Sequence, residues 1–359
     1  MKDRGAPDSG ERRLRIAIGC VLCIQATVVL TFALWWHNRW QNINQAWEQA
    51  VAEAAQDTPR WRLHDLDADR GAIPDESNAA KLILQVHEEF PGQCTGFWTS
   101  VFENVLIRLE PPYRLDDEKV AGLRQLLGYF SSKITAAREL RHRPCGLYPL
   151  VSLEAYHLEF EHFNACSDIG EFLANDALCL AQEGKIDQAL QSCHALFHVA
   201  RSWERHPTVL ALLHRVRWEV VAALMCEYVL SQGEAASETL QAFQESAQDN
   251  EVEAHFLRAA RGERARVNHI FEQLRRGQGS QIFRSLYGLD KRPRNLADAA
   301  ELWTRSGLFA LELHMLMKEY PQLLRLHNEI VQCAHQPSHV RHPALAVADK
   351  KRASLRFPY

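Results

Sequence analysis

Hydrophobic and polar positions divide this chain into one stretch with no polar face and a series of stretches that have one. From Ile16 to Leu34, nineteen residues run without a charge, and Gln25 and Thr27 are the most polar of them. At about 1.5 Å per residue this makes roughly 28 Å of helix, close to the hydrocarbon thickness of a bilayer, and a helix satisfies its own backbone hydrogen bonds there. Leu14 to Trp36 therefore reads as a transmembrane segment. Trp35, Trp36 and Trp40 follow where amphipathic rings favour the membrane interface. Arg39 to Gln56 continues the helical pattern, as one rod with the span, until Thr58-Pro59 stops it.

Beyond that point the apolar positions recur at three and four. Pro74, Asp75 and Ser77 supply the chemistry of a helix start, and Asn78 to Phe90 reads as the helix they open. Phe97 to Leu109 has mixed spacing and ends at Pro111-Pro112. Asp116-Asp117-Glu118 opens a long helix that closes on Arg138, Arg141, His142 and Arg143, an arrangement suited to the helix dipole. Within it Val120, Leu123, Leu127, Phe130, Ile134 and Ala137 mark one buried face. Leu153–Phe163, Asp168–Glu183, Asp187–Trp203, Thr208–Ser231, Ser237–Asp249 and Glu251–Arg276 read as consecutive helices with short breaks. In the fourth of these, Val209, Leu213, Val216, Val220 and Leu224 form a stripe. Gly277 to Pro293 is a loop. Asn295–Arg305 and Leu308–Cys333 return to helix, with Pro321 starting, kinking or dividing the second. From His335 the chain is rich in proline and basic residues and reads as an extended, solvated tail.

Strand alternation is almost absent, and short links make successive helices antiparallel. The fold class is all-α: a transmembrane helix followed by stacked helical hairpins, an irregular α-solenoid or bundle. The chain divides into a cytoplasmic segment (1–13), the anchor (14–36), a membrane-proximal helix (37–60), a helical domain (61–334) and the tail (335–359).

Composition sharpens this picture. At 47% hydrophobic and 24% charged, the 359 residues are globular, and a net charge of −4 gives no electrostatic case for nucleic acid. Before the span, Lys2, Arg4, Arg12, Arg13 and Arg15 outnumber Asp3, Asp8 and Glu11, whereas the far flank offers only Arg39 nearby. Positive-inside bias places the N-terminus in the cytoplasm and the bulk of the chain beyond the inner membrane. A cleaved signal peptide is the rival reading, but it would have a shorter core and a small-x-small site, where this run ends in Leu-Trp-Trp. Of nine cysteines, Cys20 and Cys23 lie in the span and seven lie beyond it. Cys166, Cys179, Cys193 and Cys226 sit in apolar helical contexts as free thiols, and Cys94–Cys145 is the candidate disulfide.

Four constellations invite chemistry. His194 and His198 stand four apart on one helix face, but a zinc peptidase helix needs a glutamate at 195, where Ala195 stands. Glu154-x-x-His157 and Glu159-x-x-His162 have the spacing of carboxylate-bridged metal bundles, yet both lie on one helix about 140° apart. Glu154, His157 and Glu161 share a face and form a candidate polar pocket with Glu263 from another segment. Cys333, His335, His339 and His342 are the densest string of metal-ligand types, interrupted by Pro337. Arg261, Glu263, Arg264 and Arg266 place a carboxylate among guanidiniums on a predicted helix. The sequence has no Walker loop, no G-x-G-x-x-G and no G-x-S-x-G, and it implies no cofactor.

The stretch ANDALCLAQEGKIDQALQSCHALFHVA resembles one tetratricopeptide hairpin, with Leu173, Ala177, Gly184 and Ala189 at its small and turn positions, although no proline closes it and no second copy follows. The pieces WRLHDLDADRGAIPDESNAA, ITAARELRHRPCGLYP, AQEGKIDQAL and LRAARGERARVNHIFEQL resemble uncharacterised membrane-anchored helical proteins of planctomycete-type bacteria. That resemblance implies a helical protein facing the envelope and carries over no active-site residue. The expectation is a scaffold or protein-interaction module held to the bilayer through residues 14–36. An enzyme or metal-binding domain with a pocket between helices is the alternative, and a structural envelope component is the third.

Overall fold

The computed structural model of the chain describes residues 9–88, 114–150, 156–248, 252–276, 298 and 317–354. Among them there is no strand, and a lone bridge joins Asn78 to Cys145. Helix α1 (Ser9–Asp57) is followed by α2 (Leu63–Asp69), α3 (Ala79–Glu88), α4 (Asp117–Tyr129), α5 (Ser131–Arg138), α6 (Tyr156–Gln182), α7 (Ile186–Arg201), α8 (Val209–Gln232), α9 (Ser237–Ala247), α10 (Val252–Arg275), α11 (317–334) and α12 (Ser338–Ser354). Short 3-10 turns occupy Asp75–Ser77 and Glu139–His142.

Helix α1 is one unbroken rod of 49 residues, about 73 Å long at the usual rise. From Ile18 through Trp35 every residue is exposed, and this helix is long and apolar enough to cross a membrane. Its hydroxyls are internally paired: Thr27 Oγ1 donates to the Cys23 carbonyl at 2.8 Å, and Thr31 Oγ1 to the Thr27 carbonyl at 2.9 Å. Neither hydroxyl is left unsatisfied in hydrocarbon. At the end of the span the Trp36 and Trp40 rings meet edge-on at 6.1 Å, and the Arg39 guanidinium lies 5.2 Å over Trp35.

Past Trp40 the rod enters the protein. Ile43, Trp47, Ala50 and Ala54 are buried at four- and three-residue spacing. Trp47 stacks on Phe271 of α10 at 5.4 Å, while Met317 and Tyr320 of α11 complete that cluster. Ala50 and Ala54 are small enough to admit Trp61 and Leu324. The fully buried Arg264 of α10 reaches Asp57 at 3.4 Å, and Arg325 of α11 reaches Glu53 at 3.1 Å. Because Trp47 meets Phe271 and Asp57 meets Arg264, α1 and α10 run antiparallel.

The main core is built on α6, α7 and α8, each packed on the other two. Nearly every residue of α6 from Ala165 to Ala181 is buried, including the polar Asp168, Glu171, Asn175 and Asp176. The α6–α7 hairpin closes on Gly184 (φ +76°): Lys185 N–H donates to the Leu180 carbonyl at 2.9 Å and Gly184 N–H to the Ala181 carbonyl at 3.0 Å. This is the Schellman pattern, and its left-handed position favours glycine. Several buried polar groups in the core are paired. Arg138 grips Asp176 through two hydrogen bonds of 2.8 and 2.7 Å, Ser192 donates to the same carboxylate at 2.5 Å, and His87 meets Asp168 at 3.2 Å. The Trp203 ring lies between Tyr148 at 4.0 Å and Phe163 at 4.3 Å, both near parallel.

Several expectations need correction. Leu153–Phe163 and Asp168–Glu183 are not two helices: from Tyr156 to Gln182 there is one, with no break at Asn164–Ser167. The expected long helix after Asp116 breaks at Phe130 (φ −114°, ψ 20°), although all six of its predicted inward residues are buried. The Phe130 ring meets Phe172 edge-on at 5.6 Å. Pro321 neither starts nor divides α11, which runs through it. The tail is not extended over 338–354. It forms α12 despite Pro343, with Ala348 buried and Lys351 bonded to Glu329 at 2.7 Å. Proline weakens a helix interior, which is why the sequence read as a tail, and tertiary contacts override it here. Cys145 is a free thiol, and Cys94, its candidate disulfide partner, lies outside the described residues. The mixed-spacing stretch Phe97–Leu109, the predicted helix Asn295–Arg305 and the predicted loop at Gly277–Pro293 fall outside the described residues, apart from Asp298.

Candidate functional site

Helix α8 presents two apolar seams on opposite sides. Ala211, Arg215, Trp218, Ala222, Met225 and Val229 are buried, with Arg215 neutralised by Glu219 at 2.7 Å. The other seam, read as a stripe in the sequence, faces solvent: Val209, Leu213, Val216, Val220, Leu224 and Leu230 are between 38% and 60% exposed. Ala223 and Glu227 are exposed as well and continue the row. Positions 209, 213, 216, 220, 223, 227 and 230 alternate steps of four and three, the period of a two-helix seam. The strip is about 32 Å long and one helix wide, roughly 300 Å², the size of patch that marks interaction sites. A helix apolar on both sides normally has neighbours on both.

The neighbouring structure holds α8 firmly. Thr208 caps its N-terminus, accepting from Ala211 N–H at 3.2 Å, and Glu263 of α10 accepts from Val209 N–H at 3.1 Å. Glu263 also meets Arg266 at 3.3 Å, so this predicted pocket residue serves as a helix cap instead. Of its proposed companions, Glu161 is exposed, the side chain of His157 is not described, and Glu154 lies outside the described residues. Only Glu161 and Glu263 of the four have described side chains, and Glu263 is engaged by Val209 and Arg266.

The histidine candidates fare similarly. His194 and His198 do lie together, ring centroids 4.8 Å apart, but His194 is engaged with Ser246 at 2.6 Å, and the surroundings include Arg141, Arg201 and His142. His335 and His342 are exposed, and the His339 side chain is not described. Among the described residues no group of three or more His, Cys, Asp or Glu side chains converges on a metal position. Trp35, Trp36 and Trp40 stand together at the end of the apolar rod.

The buried histidines have a consequence for pH. Burial lowers His206 to about 3 and His194, His198 and His214 to about 4. The unfolded chain binds these protons near pH 6.5 and the folded chain does not. Stability is therefore fully present above about pH 6.5 and falls as pH drops from there toward 4. The thermal midpoint is expected to fall between pH 7 and pH 5, and less steeply in His198→Leu. An identical slope in that variant would contradict this assignment.

No family model, no curated protein and no solved structure matches the chain. The function must therefore be argued from its own surfaces. Sequence reasoning marked the α8 stripe only as far as Leu224 and missed Ala223, Glu227 and Leu230. The signal was present: apolar residues occupy both sides of α8, as they do in the membrane span.

Proposed function

We propose that the chain is a membrane-anchored interaction module whose α8 seam pairs with an amphipathic helix of a partner protein. Helix α1 anchors it in the inner membrane with the N-terminus in the cytoplasm and the helical domain on the far side. The exposed seam of α8, opposite an equally apolar buried one, is the observation that carries the reading. The basic flank before the span supports the orientation. The unbroken continuation of α1 into the packed domain supports a retained anchor over a cleaved leader.

The seam argues for a partner other than a second copy. In parallel self-pairing Glu227 would face its own copy, and in antiparallel pairing it would face Leu213. Glu227 has no ion-pair partner among the described residues. A partner helix with an apolar seam and one lysine or arginine opposite Glu227 satisfies the strip and its charge.

The test is charge reversal in the full-length protein. Glu227→Lys is expected to cut recovery of the crosslinked complex from membranes about tenfold, with folding stability changed by no more than about 0.5 kcal/mol, as for surface substitutions generally. Changing the opposing basic residue of the partner helix to glutamate is expected to restore recovery. Undiminished recovery, or reversal without restoration, would sink the pairing.

A further inference from the structure

Beyond the α8 seam, a separate cavity of about 570 Å³ opens between α2, α10 and the Ser202–Thr208 turn. Its wall carries Arg70, Arg205, Arg258 and Arg261, with Asp69 as its only carboxylate among the described residues and Leu257 on its apolar side. The charges do not cancel. Asp69 is bonded to Arg60 at 2.6 Å, outside the cavity wall, and Arg70 is met by Asp67 at 2.9 Å. Arg205 donates to the Arg70 carbonyl at 3.0 Å, and Arg258 donates to the Glu204 carbonyl at 2.7 Å and meets His255 at 2.9 Å. These groups accept hydrogen bonds and neutralise no charge. Arg261 has its Nε buried without a partner. Arg205, Arg258 and Arg261 thus bring three guanidiniums to one concavity with no carboxylate against them among the described residues. The proximity already acts on the wall: Arg205 helps to hold Arg70 below the ordinary arginine range, after the larger effect of burial.

Confined like charges are costly until an anion joins them, and the forked guanidinium donor matches the oxygens of phosphate in pairs. The volume lies within the range of small-ligand pockets. We infer that this cavity binds a phosphate-bearing small molecule, held by Arg205, Arg258 and Arg261. Position favours a soluble ligand over a lipid headgroup. The rod from Trp36 to Asp57 spans about 32 Å, and because α10 runs antiparallel to α1, Arg261 and Arg258 lie past the Asp57 end of it.

The experiment uses the full-length protein in phosphatidylcholine nanodiscs, with inorganic phosphate as probe and potassium chloride at matched ionic strength as control. Phosphate is expected to raise the thermal midpoint saturably where chloride does not. Arg261→Gln, which removes a side chain making no hydrogen bond among the described residues, is expected to weaken the apparent affinity about tenfold or more while the ligand-free midpoint does not fall. Arg258→Gln is expected to weaken it comparably. A response equal to that of chloride, or one unchanged in both variants, would overturn the proposal. So would a response to phosphatidylglycerol vesicles without one to free phosphate. The α8 variants leave this cavity untouched, so the two proposals fail separately.

Discussion

Gly262→Ala is expected to lower the thermal midpoint of the full chain by about 4 °C or more, which corresponds to about 3 kcal/mol or more for a protein of 359 residues. A Cβ at position 262 would sit 1.4 Å from the Pro207 carbonyl oxygen and 2.4 Å from its carbon. Both atoms are backbone, so no rotamer change relieves the clash, and α10 must move away from the turn that precedes α8. That movement would also pull Glu263 from its cap on Val209. Gly122 on α4 is the control, since nothing lies within 4 Å of an added Cβ there. Gly122→Ala is expected to be neutral or to gain about 0.5–1 kcal/mol, because alanine loses less backbone entropy in a helix. Equal midpoints for the two variants would show that α10 and the Pro207 turn are not in contact.

Trp203→Ala is expected to cost about 3–5 kcal/mol, as for buried aromatic truncations generally. Trp203 is nearly fully buried, stacked on both faces, and its Nε1 donates to the Cys166 sulfur at 3.1 Å. Its loss would open a cavity between α6, α7 and the segment carrying Tyr148, with little to refill it. Cys166 supplies a local reporter. Burial holds its thiol up at about 12, so it is unreactive in the intact protein. Thiol labelling under native conditions is expected to rise sharply at Cys166 in Trp203→Ala and to stay low in Trp203→Phe. Slow labelling in both would place the stack outside the stabilising core.

Much of this architecture could be read from apolar spacing. The six inward residues from Val120 to Ala137, the Gly184 turn and the single rod through Gln56 all follow from local periodicity and turn chemistry. The break at Phe130 was not read because the apolar spacing runs through it unchanged, although Gly128 and Ser131-Ser132 flank it. Helix α12 was hidden because Pro343 argues against a helix locally, while Ala348 and Lys351 find their partners elsewhere in the fold. The candidate sites were less legible. Glu154, His157, Glu161 and Glu263 look alike as carboxylates and imidazoles at suitable spacing, but Glu263 turned out to cap α8. Arg261 was visible in RGERAR. Arg70 and Arg205 were not, because a cavity joins residues far apart in sequence. The α8 stripe was visible too, although periodicity alone could not say which of its two apolar sides lay inside.

The central claim is that the seam of α8 receives a helix from another protein. The direct measurement places a photo-crosslinking residue at Val220 in the full-length chain, illuminates intact membranes and sequences the linked peptides. The account predicts links to one helical peptide of a second protein, with apolar residues at alternating steps of three and four and a basic residue in register with Glu227. Links confined to residues 89–113 or 277–316 of the same chain would contradict it, because the seam would then be an internal surface already covered.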